Sequence, residues 1–151
     1  MKKIFMTLTF IFALIFSTTA LAEWNPEYKD DLGNEFYIEN DTVTVDKNEG
    51  GTLEFHANFL RVFSEQGLKK LQENYRANGG DIPDNAAYEM FCVHFKEEGG
   101  KIYFSITDSF FLDSESKYIQ DFGFTDAPIE WAAPRPESVA NELLNVTKKY
   151  I

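Results

Sequence analysis

The sequence predicts an α+β domain: an antiparallel β-sheet of about six strands, with a C-terminal α-helix packed on one face and one further helix between strands. Three observations carry this expectation. Apolar residues alternate at a period of two through most of the chain after residue 33. Gly-Gly or Asn-Asp pairs separate those stretches, as turns do. Two segments instead space their apolar residues at helical intervals, one mid-chain and one at the end. The order is strands, helix, strands, helix, which suits an antiparallel sheet rather than alternating βαβ units.

The elements follow in order. Trp24 and Tyr28 lie in an acidic lead-in with Asp30 and Asp31. Asn34 to Glu39 alternates, with Phe36 and Ile38 opposite Tyr37 and Glu39. Asn40-Asp41 reads as a turn, and Thr42 to Asp46 as a strand rich in β-branched residues, so the two are expected to form a tight hairpin. After the turn Asn48 to Gly51, a long strand runs from Thr52 to Phe63. Leu53, Phe55, Ala57 and Phe59 share one face, and Glu54, His56 and Asn58 the other. Beyond Leu60 the alternation blurs. Ser64 can cap a helix with apolar positions Leu68, Leu71 and Tyr75. Gly79-Gly80 ends it, and Asp81 to Ala86, with Pro83, is a loop.

Ala87 to Glu97 carries apolar side chains on both alternating sets, which predicts a central strand covered on both sides. Glu97 to Gly100 is a hairpin turn, and Lys101 to Leu112 its partner strand. Lys117 to Phe124 reads as a further aromatic strand. Pro128, Pro134 and Pro136 make an irregular crossing that holds Trp131. The last helix starts near Pro136 or Ser138, with Val139, Leu143, Val146 and Tyr150 on one stripe. Lys148 and Lys149 end it, where the helix dipole favours cations.

Residues 1–22 have the form of a bacterial secretory signal. Lys2 and Lys3 precede an apolar run from Ile4 to Phe16, and Ala20-Leu21-Ala22 supplies the small residues of a cleavage site. The run is shorter than the ~20 residues a membrane-spanning helix needs. Cleavage after Ala22 would leave residues 23–151 as one domain, with no linker and no repeat. Localisation is thus expected to be periplasmic, secreted or at the cell surface, with no membrane span after signal cleavage.

Composition narrows the function. The 151 residues carry 14 Lys+Arg against 25 Asp+Glu, for a formal net charge of −11. A nucleic-acid binder needs a basic stripe to meet phosphates, so that class is excluded. Fifteen Phe and seven Tyr suit a well-filled sheet core. The one cysteine, Cys92, cannot form an intrachain disulfide. It is expected to be a buried, inert thiol.

No cofactor, metal or catalytic constellation is expected. His56 and His94 fall on strands at no known metal-ligand spacing, and Cys92 with His94 is only a same-face pair two residues apart. Asp30-Asp31, Glu97-Glu98 and Asp113 with Glu115 are solvated turn acids. Asp41, Asp46 and Glu49 lack the order of an EF-hand loop. The Gly-Gly pairs lack the Lys-Ser/Thr of a phosphate loop.

Several short pieces together resemble the bacterial surface-adhesin protein E-like domain. They are Trp24; the run Gly33, Phe36, Tyr37, Ile38 and Glu39; the strand from Glu89 to Cys92; Trp131 ahead of Pro136 and Ser138; and Glu142 and Leu143 on the last helix. The resemblance implies a sheet with the C-terminal helix on its concave face. It assigns structural roles to Trp24, Tyr37, Cys92, Trp131 and Leu143. It implies a non-enzymatic protein whose partner is a host matrix or bacterial envelope protein. In that family the strand cysteine often bridges to a cysteine ending the last helix, and the adhesin is lipid-anchored. This chain ends Thr147-Lys148-Lys149-Tyr150-Ile151 and has no anchoring cysteine. The rival readings are a small periplasmic or secreted enzyme and an accessory subunit of an envelope complex.

Overall fold

A computed structural model describes residues 26–121 and 129–151 of the chain. The expected signal peptide, Trp24 and the segment from Phe122 to Pro128 lie outside the described residues. The α+β architecture is as the sequence predicts. Its seven antiparallel strands are β1 (Tyr28–Lys29), β2 (Glu35–Ile38), β3 (Thr44–Glu49), β4 (Thr52–Val62), β5 (Ala86–Glu98), β6 (Lys101–Asp113) and β7 (Tyr118–Asp121). Helix α1 (Glu65–Ala77) joins β4 to β5, and α2 (Val139–Thr147) follows the sheet. The strand order is β1-β2-β4-β5-β6-β7, with β3 also paired to β4. The two-residue β1 is too short for any periodicity to announce it.

The expected hairpin between Asn34–Glu39 and Thr42–Asp46 does not form. Both segments instead pair, end to end, with the same edge of β4: Ile38 lies opposite Phe59, and Thr44 opposite His56. Between them Asn40–Thr42 makes a single turn of 3-10 helix, which steps the chain sideways without reversing it. The Thr42 hydroxyl donates to the Glu39 carbonyl at 2.6 Å and accepts from the Asn58 N–H at 2.9 Å, so β4 holds the step in place. Asn-Asp supplied a turn, but one of the wrong sense for a hairpin. The true hairpins are β3–β4 and β5–β6. Their two-residue loops, Gly50-Gly51 and Gly99-Gly100, place both residues at positive φ, as the tight turns matched to strand twist require.

Both helices lie on the same face of the sheet. Phe36, Ile38, Phe55, Ala57, Phe59, Phe91, Val93 and Phe95 form that face's main core against Leu143, Leu144 and Val146 of α2. Ser138 caps α2, its side chain accepting from the Asn141 N–H. A nine-residue helix is marginal alone, so this buried stripe holds it. Tyr150 departs from the predicted stripe. The chain tightens into a 3-10 turn over Lys148–Tyr150, and the exposed Tyr150 hydroxyl donates to Glu27 Oε1 at 2.6 Å. Leu144 and Thr147, on either side of the predicted stripe, are buried in its place.

At the other end of the same face, α1 contributes Leu68, Leu71 and Tyr75 to a second core with Phe63, Ile82, Ala86, Phe111 and Ile119. Ser64 caps α1, accepting from the Gly67 N–H at 2.8 Å. Buried Asn34 docks the β1–β2 turn onto this cap: its Oδ1 accepts from the Ser64 N–H, and its amide donates to Asp30. A Cβ on Gly67 would come within 1.8 Å of Asn34 Oδ1, so the close approach requires glycine.

Between the two cores sits a charged pair on the covered face. Arg61 Nη1 lies 3.3 Å from Glu89 Oε2. The guanidinium stands over the rings of Phe36, Phe63 and Phe91 at 5.1 to 5.7 Å. This charge inside the apolar row explains why the β4 alternation blurs beyond Leu60.

Candidate functional site

The opposite face of the sheet is not covered by any helix among the described residues. On that face Tyr88, Met90, His94 and Lys96 of β5 are half-buried, and Cys92 is buried. Tyr88, Met90, Cys92, His94 and Lys96 of β5 project there, away from α2. Cys92 is nonetheless buried, because its own sheet neighbours shield it; its Sγ lies 3.6 Å from His94 Nε2.

Register and two β-bulges build a cluster on this face. The β4–β5 pairing sets His56 directly opposite His94, with ring centroids 5.1 Å apart. In β3 the register shifts between Val45 and Lys47, so Asp46 is the extra residue of a bulge. Bulges re-aim side chains, and Asp46 Oδ2 meets His56 Nδ1 at 2.7 Å. In β6 a second shift places Asp108 and Ser109 opposite a single residue of β5, with Asp108 at φ 51°. Aspartate tolerates this left-handed conformation better than most residues. The Thr107 hydroxyl beside it donates to Asp108 Oδ2 and lies 3.2 Å from His94 Nε2.

Burial holds the His94 imidazole below the usual histidine range, and His56 beside it adds to the effect, while Asp46 and Asp108 pull the other way. Burial also pushes the Cys92 thiol up to about 11, against a lowering hydrogen bond from Thr107. His94 is therefore neutral at pH 7, and Cys92 is a thiol rather than a thiolate. They do not form the thiolate–imidazolium pair of a cysteine nucleophile.

A second polar–aromatic group lies further along the same face. Lys96 Nζ stands 5.1 Å from the Tyr103 ring and 5.0 Å from that of Trp131. Trp131 reaches it because the next residue, Ala132, exchanges two backbone hydrogen bonds with Phe104 at the β6 edge. A groove at the far hairpin ends, lined by Thr52, Glu97, Glu98 and Lys148 among others, is separate from the histidine cluster. Lys148 pairs there with Glu97.

The residues expected to be structural scatter. Leu143 is in the main core and Cys92 on the uncovered face. Tyr37 is half-buried on β2, donating to Glu35 Oε2 at 3.2 Å, and Trp131 packs over Lys96. Trp24 lies outside the described residues. Because Cys92 projects away from α2, a thiol on that helix would not meet it. The bridge that the resemblance implies for its family thus has no geometric counterpart here. The cluster of Asp46, His56 and His94 was not foreseen. Its only sequence signal was the same-face pair Cys92 and His94, because α1, not a tight turn, joins β4 to β5 and leaves their register unreadable.

No protein-family model, curated protein or solved structure matches the chain. Among the described residues no helix is long and apolar enough to cross a membrane.

Proposed function

We propose that the protein is an exported, non-enzymatic binding domain of the surface-adhesin protein E-like type, and that its uncovered sheet face meets a host matrix or bacterial envelope protein. One observation carries the reading: α1 and α2 both pack on a single face, leaving Tyr103, Trp131 and Lys96 grouped on the other. Aromatic side chains with a polar handle are the residues that protein interfaces favour. The form of residues 1–22 supports export, and the net charge of −11 speaks against nucleic acid as the partner. The Cys92 thiol, which burial keeps protonated, favours binding over nucleophilic catalysis.

The test is capture of purified host matrix proteins, and of envelope proteins from an extract, on the immobilised protein. Trp131→Ala with Lys96→Glu should lower the affinity for the captured protein at least tenfold while the far-UV spectrum stays unchanged. Affinity untouched by those substitutions, or no capture from either source, would overturn the reading.

A further inference from the structure

We propose that Asp46, His56 and His94 bind a divalent transition-metal ion of the zinc, copper or nickel class. Among the described residues this is the group of three such side chains whose ligand atoms, one from each, all lie within 4.8 Å of one another. Two nitrogens bound to one zinc ion stand about 3.3 Å apart, given bonds of about 2.0 to 2.1 Å in tetrahedral geometry. Small rotations of the half-buried rings close the difference. The donor set of two imidazoles and one carboxylate suits zinc, copper or nickel, whereas magnesium and calcium take all-oxygen sites.

The surroundings fit the same chemistry. His56 and His94 stand on β4 and β5 at the centre of the sheet, so their backbones are held by pairing on both sides. A ligand imidazole must be neutral, and burial keeps His94 so. Thr107 Oγ1 lies 3.2 Å from His94 Nε2 and donates to Asp108 Oδ2, so it is placed to orient the ring. At His56 the Nδ1 proton now directed to Asp46 Oδ2 is the one the metal displaces: the ion binds nitrogen and carboxylate, and the proton leaves to solvent. Three protein ligands leave at least one coordination position for water. This inference is independent of the protein-binding reading, since it uses neither Lys96, Tyr103 nor Trp131.

The experiment is calorimetric titration of the purified, chelator-stripped protein with zinc chloride, alongside proton spectra of the histidine rings. One equivalent should bind, the ring resonances of both His56 and His94 should move, and His56→Ala or His94→Ala should each weaken binding at least thirtyfold. Binding of equal strength in the double variant His56→Ala/His94→Ala would mean diffuse attraction to the acidic surface and would overturn the site. So would no uptake, or uptake that leaves both ring signals in place in the unaltered protein, a reading that does not depend on any variant folding.

Discussion

The two faces of this sheet each carry a cluster of charged and polar side chains, in opposite settings. On the covered face, Arg61 and Glu89 are 18% and 10% exposed, with three phenylalanine rings around the guanidinium. On the uncovered face, His56 and Asp46 are 28% and 39% exposed. Water can compensate the second pair if one member is lost, and cannot reach the first as easily. Arg61 Nε and Glu89 Oε2 are both buried without a hydrogen-bond partner, and the other Glu89 oxygen accepts from the Ser109 hydroxyl at 2.7 Å. The buried pair is thus a feature the core tolerates only while it stays paired. The exposed cluster is free to exchange partners, protons or ions. The difference teaches that a strand's polar residues acquire their meaning from the layer laid over them, and not from their place in the alternation.

The largest expected effect breaks the covered-face pair. Glu89→Ala leaves the Arg61 charge uncompensated among aromatic rings and should cost about 3 to 5 kcal/mol. Replacing both members with leucine should recover most of that loss, since a buried pair contributes little beyond an apolar substitute. Urea unfolding midpoints of the three proteins provide the check. A loss below about 1 kcal/mol for Glu89→Ala, the range of a surface pair, would erase the contrast between the faces.

Next in size is the anchoring of α2. Leu143 is buried in the main core, and no disulfide assists it. Leu143→Ala should therefore cost about 2 to 5 kcal/mol, a large share of a small domain's stability. Calorimetric melting measures it. Removal of residues 139–151 with an unchanged melting temperature would mean that α2 contributes nothing to the covered face.

The smallest effect is a pH dependence on the uncovered face. The groups facing His94 are His56, Cys92, Thr107, Asp46 and Asp108. Its folded pKa is depressed below the ordinary 6.5. As pH falls through 6.5 the unfolded chain takes up a proton that the folded protein still refuses, so stability is full above that value and is lost below it. His94→Gln does not titrate and should flatten the fall between pH 7 and 5.5. Equal slopes in both proteins, measured by denaturant unfolding at each pH, would show that His94 is solvated like a surface histidine.

Much of the fold was legible in the sequence, because its signals are local. Period-two alternation marked β2, β4, β5 and β6, and Gly50-Gly51 and Gly99-Gly100 named their turns through a backbone conformation that few other residues accept. Ser64 announced the start of α1 through the hydroxyl it offers to a free N–H, while the start of α2 read as Pro136 or Ser138 and proves to be capped by Ser138. What only the tertiary structure decided was everything set by pairing across a long connection. Asn40-Asp41 is compatible with either a hairpin or a sidestep, and the hydrogen bonds Thr42 makes to Glu39 and Asn58 chose the sidestep. The register of β4 against β5 passes through α1, whose docking no residue pattern encodes, and that register alone brings His56 to His94. Asp46 joins them through a bulge, one extra residue that shifts a side chain without leaving a composition signal. Residue types and periods state which side chains share a strand face; which strands become neighbours, and which face the helices cover, follows from the lowest free energy of the packed whole.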